Sequence, residues 1–208
     1  MNTDDLIRTL SADTVVPASP VARLLWVLPA MGVALAGLWA TEGLRADLAT
    51  ALQNPISALR IVLTVALGAL ALWAVVRLAR PGARVRLWPL GGIAVAAAGL
   101  WVWAYAGVPD GGHQMAIQGK TLWGCLTTIP MLAVLPTAAV LAAVRQGAPT
   151  RPMLAGAIAG LAGGGLAAAI YALHCTEDSP LFYVTWYGTA IAGVAVVSSL
   201  IAPRLLRW

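Results

Sequence analysis

Charged residues are scarce in this sequence. Only 10% of its 208 residues are Asp, Glu, Lys or Arg, whereas 60% are hydrophobic, and the mean hydropathy is +0.83. Water-soluble domains carry roughly 25% charged residues, so the composition excludes an ordinary soluble protein. The few charges lie in short clusters between apolar runs, and each run has about the 20 residues that a helix needs to cross a bilayer.

The apolar runs predict six membrane-spanning helices. They are continuously apolar, whereas the strands of a membrane β-barrel would alternate between apolar and polar residues. The predicted class is therefore all-α: a polytopic membrane bundle of six transmembrane helices with both termini cytoplasmic. We divide the chain into an N-terminal cytoplasmic tail, 1–22, and a transmembrane domain, 23–208, with helices near 23–41, 57–79, 87–106, 121–144, 153–174 and 181–202.

The basic residues predict this orientation, because cytoplasmic segments of membrane proteins are enriched in Lys and Arg. The outer side then carries only Arg45, Arg60 and Lys120. The cytoplasmic side carries the other ten: Arg8, Arg23, Arg77, Arg80, Arg84, Arg86, Arg145, Arg151, Arg204 and Arg207. The net charge of +5 is thus explained by topology and requires no nucleic-acid partner.

Ionisable residues are absent from the middle of every predicted span. Transporters, pumps and channels commonly need such a residue to bind substrate or to carry charge, so this absence disfavours them, although it does not exclude a flippase of neutral lipids. Arg60 lies at the outer end of the second span, where we expect it to reach the interface. Glu177 and Asp178 are expected to be solvated loop charges.

Catalytic groupings are also lacking. The sequence has only two histidines, both predicted at the outer edge, whereas a haem-binding bundle needs paired histidines at the membrane centre. There is no phosphate-binding glycine loop, no zinc-type cysteine pair and no serine with histidine and carboxylate at one depth. We therefore expect a protein that is not an enzyme and has no permanent cofactor.

The two cysteines are predicted to lie together at the outer surface. Cys125 lies about one turn inside the outer start of the fourth span, and Cys175 ends the fifth. These spans form a hairpin that turns near residue 148, and folding the chain there brings residue 125 level with about residue 171, one turn from Cys175.

Three chemistries fit such a cysteine pair. A structural disulfide would form readily in an oxidising compartment. A soft metal ion such as Cu(I) would prefer two thiolates, with His174, His113 or Met115 as added ligands. A redox sensor would cycle between thiol and disulfide, with His174 and the helix end adjusting thiolate character. His174 could equally be an interfacial residue without a ligand role.

The N-terminal tail predicts a docking segment. Thr3 can cap a short helix with Asp4 and Asp5 in its first turn, where the helix dipole favours negative charge. Leu6, Ile7 and Leu10 then fall on one face. The "VPASP" stretch that follows is typical of a linker, and a short helix with an apolar stripe suits binding in a partner's groove. The alternative is a frayed helix on the membrane surface, but such helices usually carry a basic polar face.

Small residues on the fifth span predict close helix packing. Gly156, Gly160 and Gly164 recur every four residues and share one face, which lets another helix approach closely in lipid. That helix could belong to the same chain or to a second copy in a homodimer. Pro130 and Pro136 each remove a backbone donor from the fourth span and should bend it.

The sequence resembles the NrsF-like membrane anti-sigma factors. The resemblance lies in the opening "TDDLIRTL", the six spans with both ends inside, Cys125 in "LWGC" and Cys175 in "LHC", and it covers essentially the whole chain. It implies a bacterial inner-membrane protein that sequesters an extracytoplasmic-function sigma factor through its cytoplasmic tail and face. It also implies release of that factor under heavy-metal stress, such as copper, or oxidative stress, with Cys125 and Cys175 as sensors.

The resemblance marks Asp4, Asp5, Leu6 and Ile7 as candidate sigma-factor contacts, and Leu10 joins them because it shares their apolar face. His113 and His174 as metal ligands are an inference from chemistry alone. Membrane lipids and a second copy of the chain are the other expected partners. The alternative function is a small membrane transporter or flippase subunit, which would need a central polar cavity and would not depend on residues 1–22.

Overall fold

The computed structural model describes residues 2–12, 20–80 and 82–206. Every regular element in these ranges is a helix, which confirms the predicted all-α class. In chain order the helices are α1 (Thr3–Ala12), α2 (Pro20–Leu24), α3 (Val27–Thr41), α4 (Leu48–Gln53), α5 (Pro55–Leu78), α6 (Trp88–Ala106), α7 (His113–Gln118), α8 (Leu122–Arg145), α9 (Pro152–Tyr171) and α10 (Pro180–Leu205).

Six stretches of helix are long and apolar enough to cross a membrane, as predicted. Two of them join neighbouring helices across a short turn: one includes the end of α2 and all of α3, and the other includes α7 and α8. The stretches are Ala22–Thr41, Pro55–Leu78, Trp88–Ala106, His113–Arg145, Pro152–Tyr171 and Pro180–Leu205. Since successive spans are antiparallel, one end of the bundle carries both cysteines, and we call it the thiol end.

Two short helices were not predicted from the sequence. α4 and α7 both lie at the thiol end, outside the six spans that the sequence predicted. Gly119 ends α7 with a left-handed φ of +57°, and a side chain there would meet the ring of Phe182. Glycine therefore allows the chain to turn from α7 into α8 against the start of α10.

Helix α9 is the centre of the bundle. It packs against α5, α8 and α10, and most of its side chains are Ala or Gly, so neighbouring backbones approach closely. A Cβ atom on Gly160 would lie 2.6 Å from the Cα atom of Ala195 on α10. The glycine face is thus filled by a helix of the same chain, and the homodimer prediction loses the surface that motivated it.

The other spans lie around α9. α8 continues as one helix through Pro130 and Pro136. α6 lies at the outside, since none of its 19 residues, all of them described, is buried. The ring nitrogen of Trp101 on α6 donates to the Thr185 hydroxyl of α10 at 3.0 Å, which attaches this otherwise lipid-facing helix.

Helix α1 begins at Thr3 itself, because the carbonyl of Asn2 accepts hydrogen bonds from the N–H groups of Asp5 and Leu6. The Thr3 cap was therefore placed one residue too late. Leu6 and Ile7 are 43% and 59% exposed. The Leu10 side chain, the linker residues up to Ser19, and Arg207 lie outside the described residues.

Candidate functional site

The structure places Cys125 and Cys175 in one buried cluster at the thiol end. Cys125 lies in the first turn of α8 and is 0% exposed, whereas Cys175 follows the end of α9 and is 1% exposed. Both are free thiols that face each other within hydrogen-bonding reach. The α8–α9 hairpin thus gives a reduced thiol pair shielded from solvent.

Hydroxyl groups surround the two sulfur atoms. The Thr121 Oγ1 atom lies 3.9 Å from the Cys175 sulfur. Tyr171 adjoins Cys125, Tyr187 adjoins Cys175, and their rings lie 5.7 Å apart, centroid to centroid. A deprotonated sulfur in this cluster would have hydroxyl and thiol donors at hand, so the surroundings suit a thiolate better than a purely apolar core would.

The Cys175 thiol is accordingly easier to deprotonate than an ordinary cysteine. The hydrogen bond from Cys125 lowers the pKa of Cys175, and burial opposes this shift. The Tyr187 hydroxyl, the backbone N–H of Glu177 and the positive charge of Arg60 lower the pKa further. A thiolate is the reactive form toward oxidants and soft metals, and the groups around Cys175 favour that form.

Arg60 is the unexpected element of the site. It projects from the second turn of α5 and is only 1% exposed. Its Nη1 atom donates to the carbonyl of Glu177 at 2.6 Å, and its Nη2 atom donates to the carbonyls of Ala172 and Cys175 at 3.1 and 3.2 Å. These carbonyls belong to the end of α9 and the segment after it, so Arg60 fixes the backbone that carries Cys175.

Arg45 holds the same segment from the other side. Its guanidinium donates to the carbonyl of Cys175 at 3.2 Å and makes paired hydrogen bonds with the Asp178 carboxylate at 2.9 and 3.1 Å. A second pair, at 2.8 and 2.9 Å, goes to Asp47. Such paired bonds are directional as well as strong. We call Arg45, Arg60 and Asp178 the arginine clamp.

The clamp corrects two expectations from the sequence. Arg60 does not reach the interface, because backbone carbonyls inside the bundle take its donors. Glu177 and Asp178 are not simply solvated: the Glu177 carboxylate accepts the Lys120 backbone N–H at 2.8 Å. The sequence analysis did not assign Arg45 and Arg60 to the site. Their predicted position on the same side as the carboxylates Glu177 and Asp178 could have suggested an ion pair.

The ring nitrogens of the two histidines face oxygen atoms and not the two thiols. His174 Nδ1 lies 2.9 Å from the Gly43 carbonyl, and Nε2 lies 3.2 Å from a Glu42 carboxylate oxygen, so both ring nitrogens face acceptors. His113 Nε2 lies 3.2 Å from the Tyr105 carbonyl, and its ring packs on Tyr105. Among the described residues, no three His, Cys, Asp or Glu side chains converge to hold a metal ion. The four-residue ligand set is not assembled.

The Asp178 carboxylate is expected to make stability depend on pH. Burial disfavours its charge, but the hydrogen bonds from Arg45 and the positive charges of Arg45 and Arg60 outweigh burial and lower its pKa. A lowered folded-state pKa stabilises the fold above the ordinary carboxyl range, near pH 4, and this stabilisation is lost as the pH falls through the folded value. Thermal midpoints in detergent should therefore drop between pH 6 and pH 3, and Asp178→Asn should reduce that drop.

The control for this measurement is Asp110→Asn, because Asp110 is exposed in a loop at the same end. Its pH dependence should match that of the unaltered protein. An equal drop in all three proteins would show that the Asp178 pair does not contribute to acid sensitivity.

The chain is similar to known proteins over nearly its whole length. Residues 10–208 match the family model described as NrsF, negative regulator of sigma F. The chain is 35% identical over 215 residues to the probable anti-sigma-F factor NrsF of Azospira oryzae. It is 34% identical over 220 residues to the anti-sigma-F factor NrsF of Caulobacter vibrioides. Both alignments cover 100% of each chain, and no solved structure matches.

Proposed function

The chain belongs to the NrsF family, and from that membership we propose that it is an anti-sigma factor that holds an extracytoplasmic-function sigma factor inactive at the bacterial inner membrane. The single observation that carries the proposal is the full-length similarity to two proteins named anti-sigma-F factor. A regulatory role of this kind needs no catalytic residues.

Helix α1 is the proposed contact with the sigma factor. Asp4, Asp5, Leu6 and Ile7 are all exposed, so an apolar stripe with acidic neighbours is available to a partner. A short helix gains most of its stability from packing against another surface, and a groove on the sigma factor would supply that surface. Leu10 extends the stripe by one turn, and the cytoplasmic loops can add contacts.

The thiol pair is the proposed sensor. Oxidation would join the two sulfur atoms as a disulfide, with two protons and two electrons passing to a periplasmic oxidant. A soft cation such as Cu(I) could instead bind Cys125 and Cys175 as thiolates, because thiolates are its preferred ligands. The donors present fit a two-sulfur site for such an ion, without help from His113 or His174.

The arginine clamp offers a route from sensor to output. Arg45 and Arg60 both donate to the carbonyl of Cys175, so a displacement of Cys175 acts on α5 and on the α3–α4 segment together. These elements reach the opposite end of the bundle through α3 and α5. A signal shifts the equilibrium only if it stabilises one packing more than the other, and a new bond at the thiols would do so.

The proposed orientation puts the thiol end in the periplasm and both termini in the cytoplasm. It is supported by the ten-to-three distribution of basic residues and by the output itself, because a sigma factor is cytoplasmic. A transporter is not favoured: the cavity between α8 and α10 has mainly apolar walls and lies between two helix faces, unlike the central polar cavity that transport requires.

Capture of a sigma factor by the full-length protein tests the proposal. We expect a sigma factor of the same organism to copurify with the intact chain and not with a chain lacking residues 1–22. Leu6→Asp should weaken capture about thirty-fold, the effect of losing one hot-spot contact of about 2 kcal/mol. Ala12→Asp is the matched control, because helical spacing puts it on the other face of α1.

The signal is tested in the same assay. Cu(I) or an oxidant should release the captured sigma factor from the intact chain and leave it bound when Cys125 and Cys175 are both changed to Ser. Failure of any sigma factor to bind would refute the anti-sigma role. Release from the double variant would leave that role standing and refute the thiol sensor.

A further inference from the structure

A long cavity lies between α8 and α10, away from the thiol end. Its volume is about 790 Å³, which is within the range of roughly 300–1,000 Å³ found for small-molecule sites. One wall is a face of α8 that includes Val134, and the other is a face of α10 that includes Val197 and Ile201. The walls are therefore mainly apolar and lie within two membrane-spanning helices.

Basic side chains mark one end of this cavity. Arg23 of α2 and Arg145, the last residue of α8, both line it. Within the described ranges neither guanidinium forms an ion pair. The cavity thus has apolar walls at membrane depth and two positive charges where the spans end, and basic pockets of this kind between membrane helices suit acidic lipid headgroups.

Thr137 lies partway along the α8 wall of the cavity, with its hydroxyl turned toward Gly163 of α9. Thr137 is 7% exposed, and its hydroxyl has no hydrogen-bond partner in the described part of the chain. It is eight residues from Arg145 on the same helix, or about 12 Å along the axis. A ligand that contacts this part of the wall and also reaches the arginines is therefore elongated, with an acidic head and an apolar body.

We propose that this cavity binds one anionic phospholipid. The phosphate lies between Arg23 and Arg145, and an acyl chain lies along the faces of α8 and α10. A peptide segment fits less well, because its backbone N–H and C=O groups would lack partners against the apolar walls. The site would tie α2, and with it the docking tail, to the membrane surface.

Lipid binding to the full-length protein tests the site. The protein is stripped of lipid in detergent, and its binding of phosphatidylglycerol and of phosphatidylcholine with identical chains is measured by native mass spectrometry. We expect one phosphatidylglycerol to bind in preference to phosphatidylcholine. Changing Arg23 and Arg145 to Gln together should reduce that preference about 25-fold, since each basic residue at the surface contributes about five-fold.

Two controls keep the test specific. Arg84→Gln with Arg151→Gln removes the same charge at the same end without altering the cavity and should leave the preference unchanged. Ala138→Trp fills the cavity and should weaken binding of both lipids, whereas Ala94→Trp on the exposed face of α6 should not.

Three results would overturn the proposal. Equal binding of the two lipids by the unaltered protein would show that the arginines do not select an acidic head. Equal losses in the two double-arginine variants would indicate general attraction to the surface. A photocrosslink from position 134 to α1, or to a second copy, would show that protein occupies the cavity.

Discussion

Replacing Arg60 by Met should lower the free energy of unfolding in detergent by about 3–5 kcal/mol. The substitution keeps much of the side-chain volume but removes the donors to the carbonyls of Ala172, Cys175 and Glu177. Arg45 still donates to the Cys175 carbonyl, but the carbonyls of Ala172 and Glu177 lose the Arg60 donor, and each buried carbonyl left without a donor costs about 1–3 kcal/mol. Chemical denaturation followed by tryptophan fluorescence would measure the loss.

Arg77→Met is the matched control for this variant. Arg77 is on the same helix, is exposed, and lies over the ring of Trp73 at 4.5 Å, a contact worth about 0.5–1 kcal/mol. Arg60→Lys should fall between the two, because an ammonium retains the charge but lacks the planar fork that reaches several carbonyls. Equal losses in Arg60→Met and Arg77→Met would show that the clamp does not stabilise the fold.

The same variant separates stability from sensing. Arg60 contributes to the lowered pKa of Cys175 through its charge, and it also holds the Cys175 carbonyl. Arg60→Met should therefore slow the reaction of Cys175 with a thiol reagent in folded protein, measured below the midpoint of unfolding. Arg60→Lys should restore most of the reaction rate of Cys175, because it keeps the positive charge, even where it does not restore stability.

The architecture could be predicted from sequence because it follows from lengths and composition. Six apolar runs of about 20 residues give six spans, and their short connections make neighbours antiparallel. The spacing of Gly156, Gly160 and Gly164 indicated a close helix contact. The spacing did not identify the partner helix, because a pattern on one helix carries no information about its neighbour. In the structure the partner helix is α10.

The details of the site could not be predicted, because they depend on contacts between distant segments. Arg45 and Asp178 are separated by 133 residues, and each alone resembles an ordinary loop charge. Arg60 near a helix end suggested a side chain reaching the interface. Only the fold shows that carbonyls freed at the end of α9 take its donors, which is the usual requirement of a helix terminus without intrahelical partners.

For the two histidines, the sequence suggested a ligand role, whereas the structure places other groups against their rings. Placing His113 and His174 near the outer surface was sufficient to suggest metal ligands, since imidazole commonly binds soft ions. The sequence cannot show that oxygen acceptors from other segments lie beside the histidine nitrogens. His174 is engaged by Gly43 and Glu42, and His113 by Tyr105, so depth alone was a poor guide to ligand geometry.

The α9–α10 interface should be as sensitive as the clamp, although it contains no charge. Gly160→Ile is expected to lower the free energy of unfolding by about 3 kcal/mol or more. A Cβ atom on Gly160 would lie 2.6 Å from the Ala195 Cα atom and 2.8 Å from the Val194 carbonyl oxygen. Both are backbone atoms, so the only relief is separation of the two helices, which also loses the contacts at Gly156 and Gly164.

Gly188→Ala provides the matched control and should change stability in the opposite direction. Gly188 lies inside α10 with nothing within 4 Å of an added Cβ atom, so alanine should stabilise the helix by about 0.5–1 kcal/mol. If Gly160→Ile unfolded no more readily than Gly188→Ala, α9 and α10 would not be in the close contact that carries the bundle. Opposite signs would show that loss of a helical glycine is not itself destabilising, and that the cost at Gly160 comes from the α10 backbone facing it.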